Sequence, residues 1–512
     1  MSRDDAEEAV LAFETRVREQ VRGFSPESFA VEVARRFRLG QVEIAAFRQT
    51  PPHFLIHALE AHCAYYQQWR YRPLTDNDFA TTINLWHGFN DPVLMGTLKD
   101  GTHLFEFVQY LYRTQMELQG QGSRIRFGRG IRILADGTGI PRAEAAFAER
   151  YGLTARDWIK LVLVFHARTR EGARNRLSPP VIRRQELESL PESGISITSL
   201  DRFLAEAARS PEEIGASYRS IREAGVADRR FGPLTWGQRR PTLARHPIVR
   251  LATGYLVPAP PLLLRQLEDG LFERFDAMDS DAVRSDIGKQ FERYVRDLLR
   301  FHLPDCALIE SDALECSGER SCDFAIDLPD SVVLVECKAV MLDRDLVTGT
   351  AVINSGAIQR LLDGYVQIVR TAARIKSGGY HANLLRRDKP MLGLVVTLGH
   401  VPGADNGAVQ DATRERYAKD GVPEHAIECL RHRPQPFNAE AFEYLVLLLR
   451  TGAVQVTDVF AEKLAANPWH VGDWGTFLNK RIQSHRPVDL TFWKQPLDTL
   501  IEEIRLRKRT SA

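Results

Sequence analysis

The 512-residue sequence predicts an α/β core, a mixed sheet flanked by helices, set between a large mainly α-helical N-terminal region and a helical C-terminal extension. Three observations predict it. Apolar residues recur at three- and four-residue spacing through most of the first 170 positions, as amphipathic helices require. Val332-Val-Leu-Val and Met391-Leu-Gly-Leu-Val-Val-Thr397 are short, continuously apolar runs, which suits strands buried on both faces. The length exceeds the roughly 100–200 residues of one ordinary domain. The expected division is a helical domain over 1–170, a linker and helical intermediate region over 171–280, the α/β domain over 281–435 and the helical extension over 436–512.

In chain order, Val10, Phe13, Val17 and Val21 make a first helical stripe, and Ser25-Pro26 offers an N-cap and a first-turn proline to a second helix. Further helices are expected over Phe54–Trp69, Asp78–Trp86 and Thr102–Leu118, and Thr154-Ala-Arg-Asp157 resembles a capping box ahead of Trp158–Phe165. Arg124-Ile-Arg-Phe and Ile131-Arg-Ile-Leu alternate as short strands do. Gly137-Thr-Gly139-Ile-Pro-Arg imitates a phosphate-cradling turn but lacks the third glycine, so a turn before a proline-started helix is the better reading. Glu171–Ser199 is polar and carries Ser178-Pro-Pro180, as a linker or long surface loop would. After helices at Asp201–Ala208 and Pro211–Ala224, arginines interleave with aromatics. Here Arg229, Arg230, Trp236, Arg239 and Arg240 suit contact with a nucleic-acid backbone and its bases, the alternative being a solvated loop. Tyr255–Pro261 reads as extended and Leu262–Phe275 as a helix. Beyond the core, 405–425 reads as a loop with a short helix, Phe437–Leu449 as an apolar helix and Pro496–Arg505 as a proline-started helix with the basic tail Arg505–Arg509.

Composition excludes several classes. Lys and Arg number 68 against 67 Asp and Glu, so no global field draws the chain to polyanions, and contact with nucleic acid must come from local patches. The six cysteines show neither a Cys-x-x-Cys pair nor zinc-ligand spacing; reduced thiols in a cytoplasm are the simplest reading. The acidic start lacks the features of a signal peptide, and no stretch approaches 18 uncharged apolar residues, so no membrane span is expected. Phosphate-loop, His-Glu-x-x-His and Gly-x-Ser-x-Gly signatures are missing.

Chemistry concentrates between Ile287 and Lys338. An amphipathic helix carries Glu292 at the margin of a stripe formed by Ile287, Phe291, Tyr294, Val295 and Leu298. Two strand-like runs follow, Phe324–Leu328 and Ser331–Val335, joined by Pro329-Asp330. The second ends in Glu336-Cys-Lys338, with Glu336 and Lys338 on one face about 6.6 Å apart. A hairpin would set Asp323 beside Glu336. Two carboxylates forced together raise each other's proton affinity unless a cation lies between them, and Mg²⁺ meets that demand with oxygen ligands and room for phosphate. The metal would polarise a scissile phosphate, and Lys338 would orient the attacking water or offset charge developing on phosphorus.

Gly288-x-x-x-Glu292 on a helix, Asp323 at the head of a strand and Glu336-x-Lys338 ending the next resemble the PD-(D/E)xK nuclease superfamily, over about residues 284–400. Cys322 stands where the family name places proline. The resemblance implies a restriction-endonuclease-like αβββαβ core, with Asp323, Glu336 and the carbonyl of Cys337 as ligands of Mg²⁺ or Mn²⁺, Lys338 as catalytic lysine and Glu292 as auxiliary carboxylate. Many members carry a glutamine on the next helix, and Gln367 is the better counterpart, with Gln359 second. The implied function is metal-dependent hydrolysis of phosphodiester bonds, with DNA favoured over RNA; stand-alone bacterial members with large extra domains often resemble restriction or anti-phage effectors. A nuclease acting on RNA such as transfer RNA, and a non-catalytic nucleic-acid-binding scaffold of the same fold, are the alternatives. The helical N-terminal region leaves room for a protein partner, and cutting both strands of a duplex would call for a homo-oligomer.

Overall fold

The helical periodicity of the first half is realised in a computed structural model, which describes residues 3–42, 52–67, 72–87, 124–135, 139–171, 181–188, 194–227, 241–314, 320–340, 356–378, 388–401, 407–452, 454–466, 474–484 and 489–510, with 190, 385 and 404 as single positions. The architecture is mixed α/β, with two small mixed sheets flanked by helices. The chain forms two units, one of residues 1–123, 144–278 and 497–512, the other of residues 124–143 and 279–496. Among the described residues no helix is long and apolar enough to cross a membrane.

In the first unit, the chain forms helices Arg3–Val21, Pro26–Val42, Pro52–Tyr65 and Asp76–His87, with Phe13, Val17, Val21, Val33 and Phe37 of the expected stripes in one core with Leu55, Ile56 and Leu59. His62 is buried in this core between the rings of Phe24 and Phe29, and its Nε2 lies 2.7 Å from the Phe24 carbonyl. Helix Ala155–Glu171 is capped as the sequence predicts, Thr154 Oγ1 accepting from the Asp157 amide at 3.0 Å. A three-stranded sheet, Ala208–Arg209 parallel to Ile248–Leu251 and the latter antiparallel to Gly254–Leu256, is too short-stranded to show a period in the sequence. The helix expected over Leu262–Phe275 is instead broken into Pro260–Leu264, a 3-10 turn at Arg265–Leu267 and Asp269–Asp276. The break serves a buried guanidinium: Arg274 donates to Gln266 Oε1, to the carbonyls of Gly270 and Arg245, and lies 4.0 Å from the Trp158 ring centre. The expected helix over Thr102–Leu118 and the arginine-aromatic segment with Arg229, Arg230, Trp236, Arg239 and Arg240 lie outside the described residues.

The second unit is built on a five-stranded sheet of order β1-β2-β3-β4-β5: β1 (Ala307–Glu310), β2 (Phe324–Asp327), β3 (Val332–Lys338), β4 (Met391–Thr397) and β5 (Gln435–Asn438). The first three are antiparallel and the last three parallel, so β3 is central and its Val332–Cys337 stretch is buried. Its helices include α1 (Arg124–Leu134), α2 (Asp281–His302), α3 (Gly356–Ser377), α4 (Gly407–Lys419) and α5 (Ala439–Arg450). α2 packs on β3, α3 crosses over β3 and β4, and α5 packs on β4, β5 and α2. Among the described residues, and leaving out the one-turn helix Ser311–Leu314, the order from α2 to β4 is helix, three strands, helix, strand.

Four expectations give way here. Residues 124–134, read as two strands, form α1; their alternation is too short to separate strand from helix, and tertiary contacts decide. A Cβ on Gly128 would fall 2.3 Å from the Trp493 carbonyl oxygen, so backbone meets backbone at this point of α1. Residues 405–425 hold the thirteen-residue α4. Phe437 belongs to β5, and the following helix starts only at Ala439, capped by Asn438 Oδ1 accepting from the Ala441 amide at 2.7 Å. Pro496 lies inside helix Thr491–Thr510 rather than at its start. Proline leaves the carbonyl four residues earlier without its helical donor, and Arg132 supplies one, donating to the Phe492 oxygen from Nε at 3.1 Å and Nη2 at 2.9 Å.

Candidate active site at the end of the central strand

The hairpin between β2 and β3 does what the sequence argument asks of it. Phe324 pairs with Val335, so the next step of the antiparallel register sets Asp323 opposite Glu336 on one face of the sheet. Asp323 is anchored from behind: its Oδ2 accepts from the Cys337 amide at 2.6 Å, across the strand pair. Glu336 is 2 % exposed, a value reached only because β3 is central. Its Oε1 accepts from Lys338 Nζ at 2.5 Å, while its Oε2 is buried without a hydrogen-bond partner among the described residues.

Electrostatics separate this cluster from a structural ion pair. Burial, followed by the charge of Asp323, pushes the Glu336 carboxyl up to about 8. Glu292, half-buried on α2, is pushed up to about 7 by burial and then by Asp323, with Lys338 pulling the other way. Burial raises Asp323 as well. Lys338 is held above its ordinary value despite burial by the neighbouring Glu336 and Asp323. Lys338 thus stands beside three acids that all resist ionisation. Left alone, the cluster relieves its excess of negative charge by taking up protons.

The expected site residues therefore fall into groups. Asp323, Glu336, Lys338 and Cys337 meet at one strand end. Glu292 interacts with them through its charge, but it does not close a three-carboxylate cage: among the described residues no three His, Cys, Asp or Glu side chains gather as a ready metal site. Gln367 spends its amide on structure, donating from Nε2 to the Ser321 carbonyl at 2.5 Å, two residues ahead of Asp323. Thr371, which no sequence motif marks, continues that support by accepting from the Cys322 amide at 3.0 Å and donating to the Gln367 carbonyl at 2.8 Å. No motif marks Gly364 either. A Cβ there would lie 2.9 Å from Val395 Cγ2 and 3.4 Å from Glu336 Cγ, so its bareness lets α3 settle over the buried carboxylate. The sequence signal for it was a glycine inside a helical apolar stripe, which usually marks close packing.

The oxygen set fits a hard divalent cation: two opposed carboxylates, one with an unsatisfied buried oxygen, and the main-chain carbonyl of Cys337 between Glu336 and Lys338. Comparison with protein-family models, curated proteins and solved structures finds no match to this chain.

Proposed function

We propose that the chain is a metal-dependent nuclease of the PD-(D/E)xK type, hydrolysing phosphodiester bonds with Mg²⁺ or Mn²⁺, and that DNA is its substrate. The observation that carries this reading is the opposition of Asp323 and Glu336 at the end of a buried strand, with Glu336 Oε2 unpartnered among the described residues and the Lys338 ammonium paired with Glu336 Oε1. A structural role gives no reason to bury an unsatisfied carboxylate oxygen, which is costly. The order helix, three strands, helix, strand around these residues supports the same reading.

When bound by Asp323, Glu336 and the Cys337 carbonyl, a divalent cation supplies Lewis-acid polarisation of the scissile phosphate. The chain's own groups do the rest. Asp323 is fixed by the Cys337 amide, and the strand carrying it is fixed in turn by Gln367 and Thr371. Lys338, with its side chain 21 % exposed, reaches solvent from a protein wall and can orient the attacking water while offsetting charge that gathers on the phosphate oxygens. Glu292, near neutrality in its proton affinity, can take a proton from that water or hand one to the leaving oxygen.

The test is incubation of the full chain with Mg²⁺ or Mn²⁺ and duplex DNA, single-stranded DNA and RNA. DNA is cut in the presence of either metal and left intact in chelator, and Asp323→Ala and Lys338→Ala each lower the rate by at least about 10²-fold with the fold retained by circular dichroism. Undiminished cutting by either variant removes the proposed site; cutting of RNA alone replaces the substrate.

A further inference from the structure

α4 and the one-turn helix Glu424–Ile427 enclose, with α3 and the approach to β5, a cavity of about 300 Å³ in the second unit. Asp323, Glu336, Lys338 and Glu292 take no part in its lining, so it is separate from the candidate active site. Its walls are mainly apolar, with Val409 and Ile427 among them, and two tyrosine rings, Tyr365 and Tyr417, contribute to the lining. Tyr417 is 7 % exposed, and its hydroxyl is buried without a hydrogen-bond partner among the described residues. Burial pushes the pKa of that phenol up from its ordinary value, so it stays protonated and a donor at any physiological pH. Gln410 adds an amide to the lining. Arg414 adds a cation that is 75 % exposed and pairs with the equally surface-lying Asp411, which places it toward the solvent side.

A closed hydrophobic core does not keep a hydroxyl without an acceptor, and a volume of this size is at the lower end of small-molecule sites. The combination selects a kind of occupant. Aromatic walls favour a flat ring, the Tyr417 hydroxyl asks for an acceptor on that ring, and Arg414 favours an anionic substituent directed outward. We propose that this cavity is a ligand site for a single heteroaromatic ring bearing an acceptor and an anionic group, the chemistry of a nucleoside monophosphate. The site also has a physical route to the strand end: Tyr365 follows Gly364, which packs on Glu336, and Arg416 of α4 bonds Asp363 of α3 at 2.6 Å.

Binding is measured calorimetrically with the full chain in chelator, using cytidine and uridine 5′-monophosphates as probes and ribose 5-phosphate as the base-free control. Chelator and the Asp323→Ala variant remove phosphate capture at the strand end as an explanation. At least one of the two nucleotides binds saturably to wild type and to Asp323→Ala, and ribose 5-phosphate does not. Val409→Trp, which fills the cavity, weakens that binding at least tenfold, and Tyr417→Phe, which keeps the ring and removes the donor, weakens it several-fold. Should Val409→Trp not fold, Tyr417→Phe and Arg414→Ala carry the test. Absence of binding by both nucleotides, equal binding of ribose 5-phosphate, or binding unchanged in the folded variants overturns the proposal. None of these results bears on whether Asp323 and Lys338 cut nucleic acid.

Discussion

Glu336 accepts from Lys338 and leaves its second oxygen without a partner among the described residues, and the consequence for pH is calculable in sign. Its folded pKa of about 8 lies above the ordinary 4.5 expected of the unfolded chain. Between those values the folded state holds a proton that the unfolded state has lost, so stability contributed by the neutral acid is full below about 4.5 and declines as pH rises toward 8. Asp323, also raised, acts in the same direction. Denaturant unfolding in chelator at pH 5 and pH 8 should show wild type losing stability over this interval, with Glu336→Gln losing less. Equal losses would mean that Glu336 ionises as freely in the folded chain as in the unfolded one.

Among the elements of the second unit, one buried carboxylate links α1, α2 and α5 by hydrogen bonds. Glu443 of α5, fully buried, accepts from Arg129 of α1 and from the hydroxyl of Tyr294 on α2, which in turn accepts from Trp493 Nε1 at 2.7 Å. Removing one member leaves the other charge buried and uncompensated, so Glu443→Leu alone should cost about 3–5 kcal/mol of stability. The pair Arg129→Met with Glu443→Leu should recover most of that loss in the same unfolding assay; a double variant as unstable as the single would show that the cost is one of packing. This network also explains where sequence reading succeeds and fails. β3 and β4 were legible because burial on both faces makes a strand continuously apolar, and α2 and α3 because their stripes are long. β1, only four residues and half exposed, carries too little pattern, and α1 hides behind alternation that Arg129 and Gly128 override through contacts distant in sequence.

For the whole molecule, charge balance at a formal net +1 places recognition of a polyanion in local groups rather than in a long-range field. The catalytic proposal was legible because its residues lie within fifty positions at the ends of regular elements; the support from Thr371 and Gly364 was not, because helical residues meet a strand only through the crossover that carries α3 over β3. Whether Asp323 and Glu336 hold a divalent cation can be measured directly. Calorimetric titration of the full chain with Mn²⁺ at pH 7, repeated in buffers of different ionisation enthalpy, reports affinity and proton release together. Ionising Glu336, pushed up to about 8, should release about one proton per metal bound. Glu336→Gln should lower the affinity at least tenfold and abolish most of the release. Metal binding with no proton release, or binding that Glu336→Gln leaves unchanged, would contradict the account.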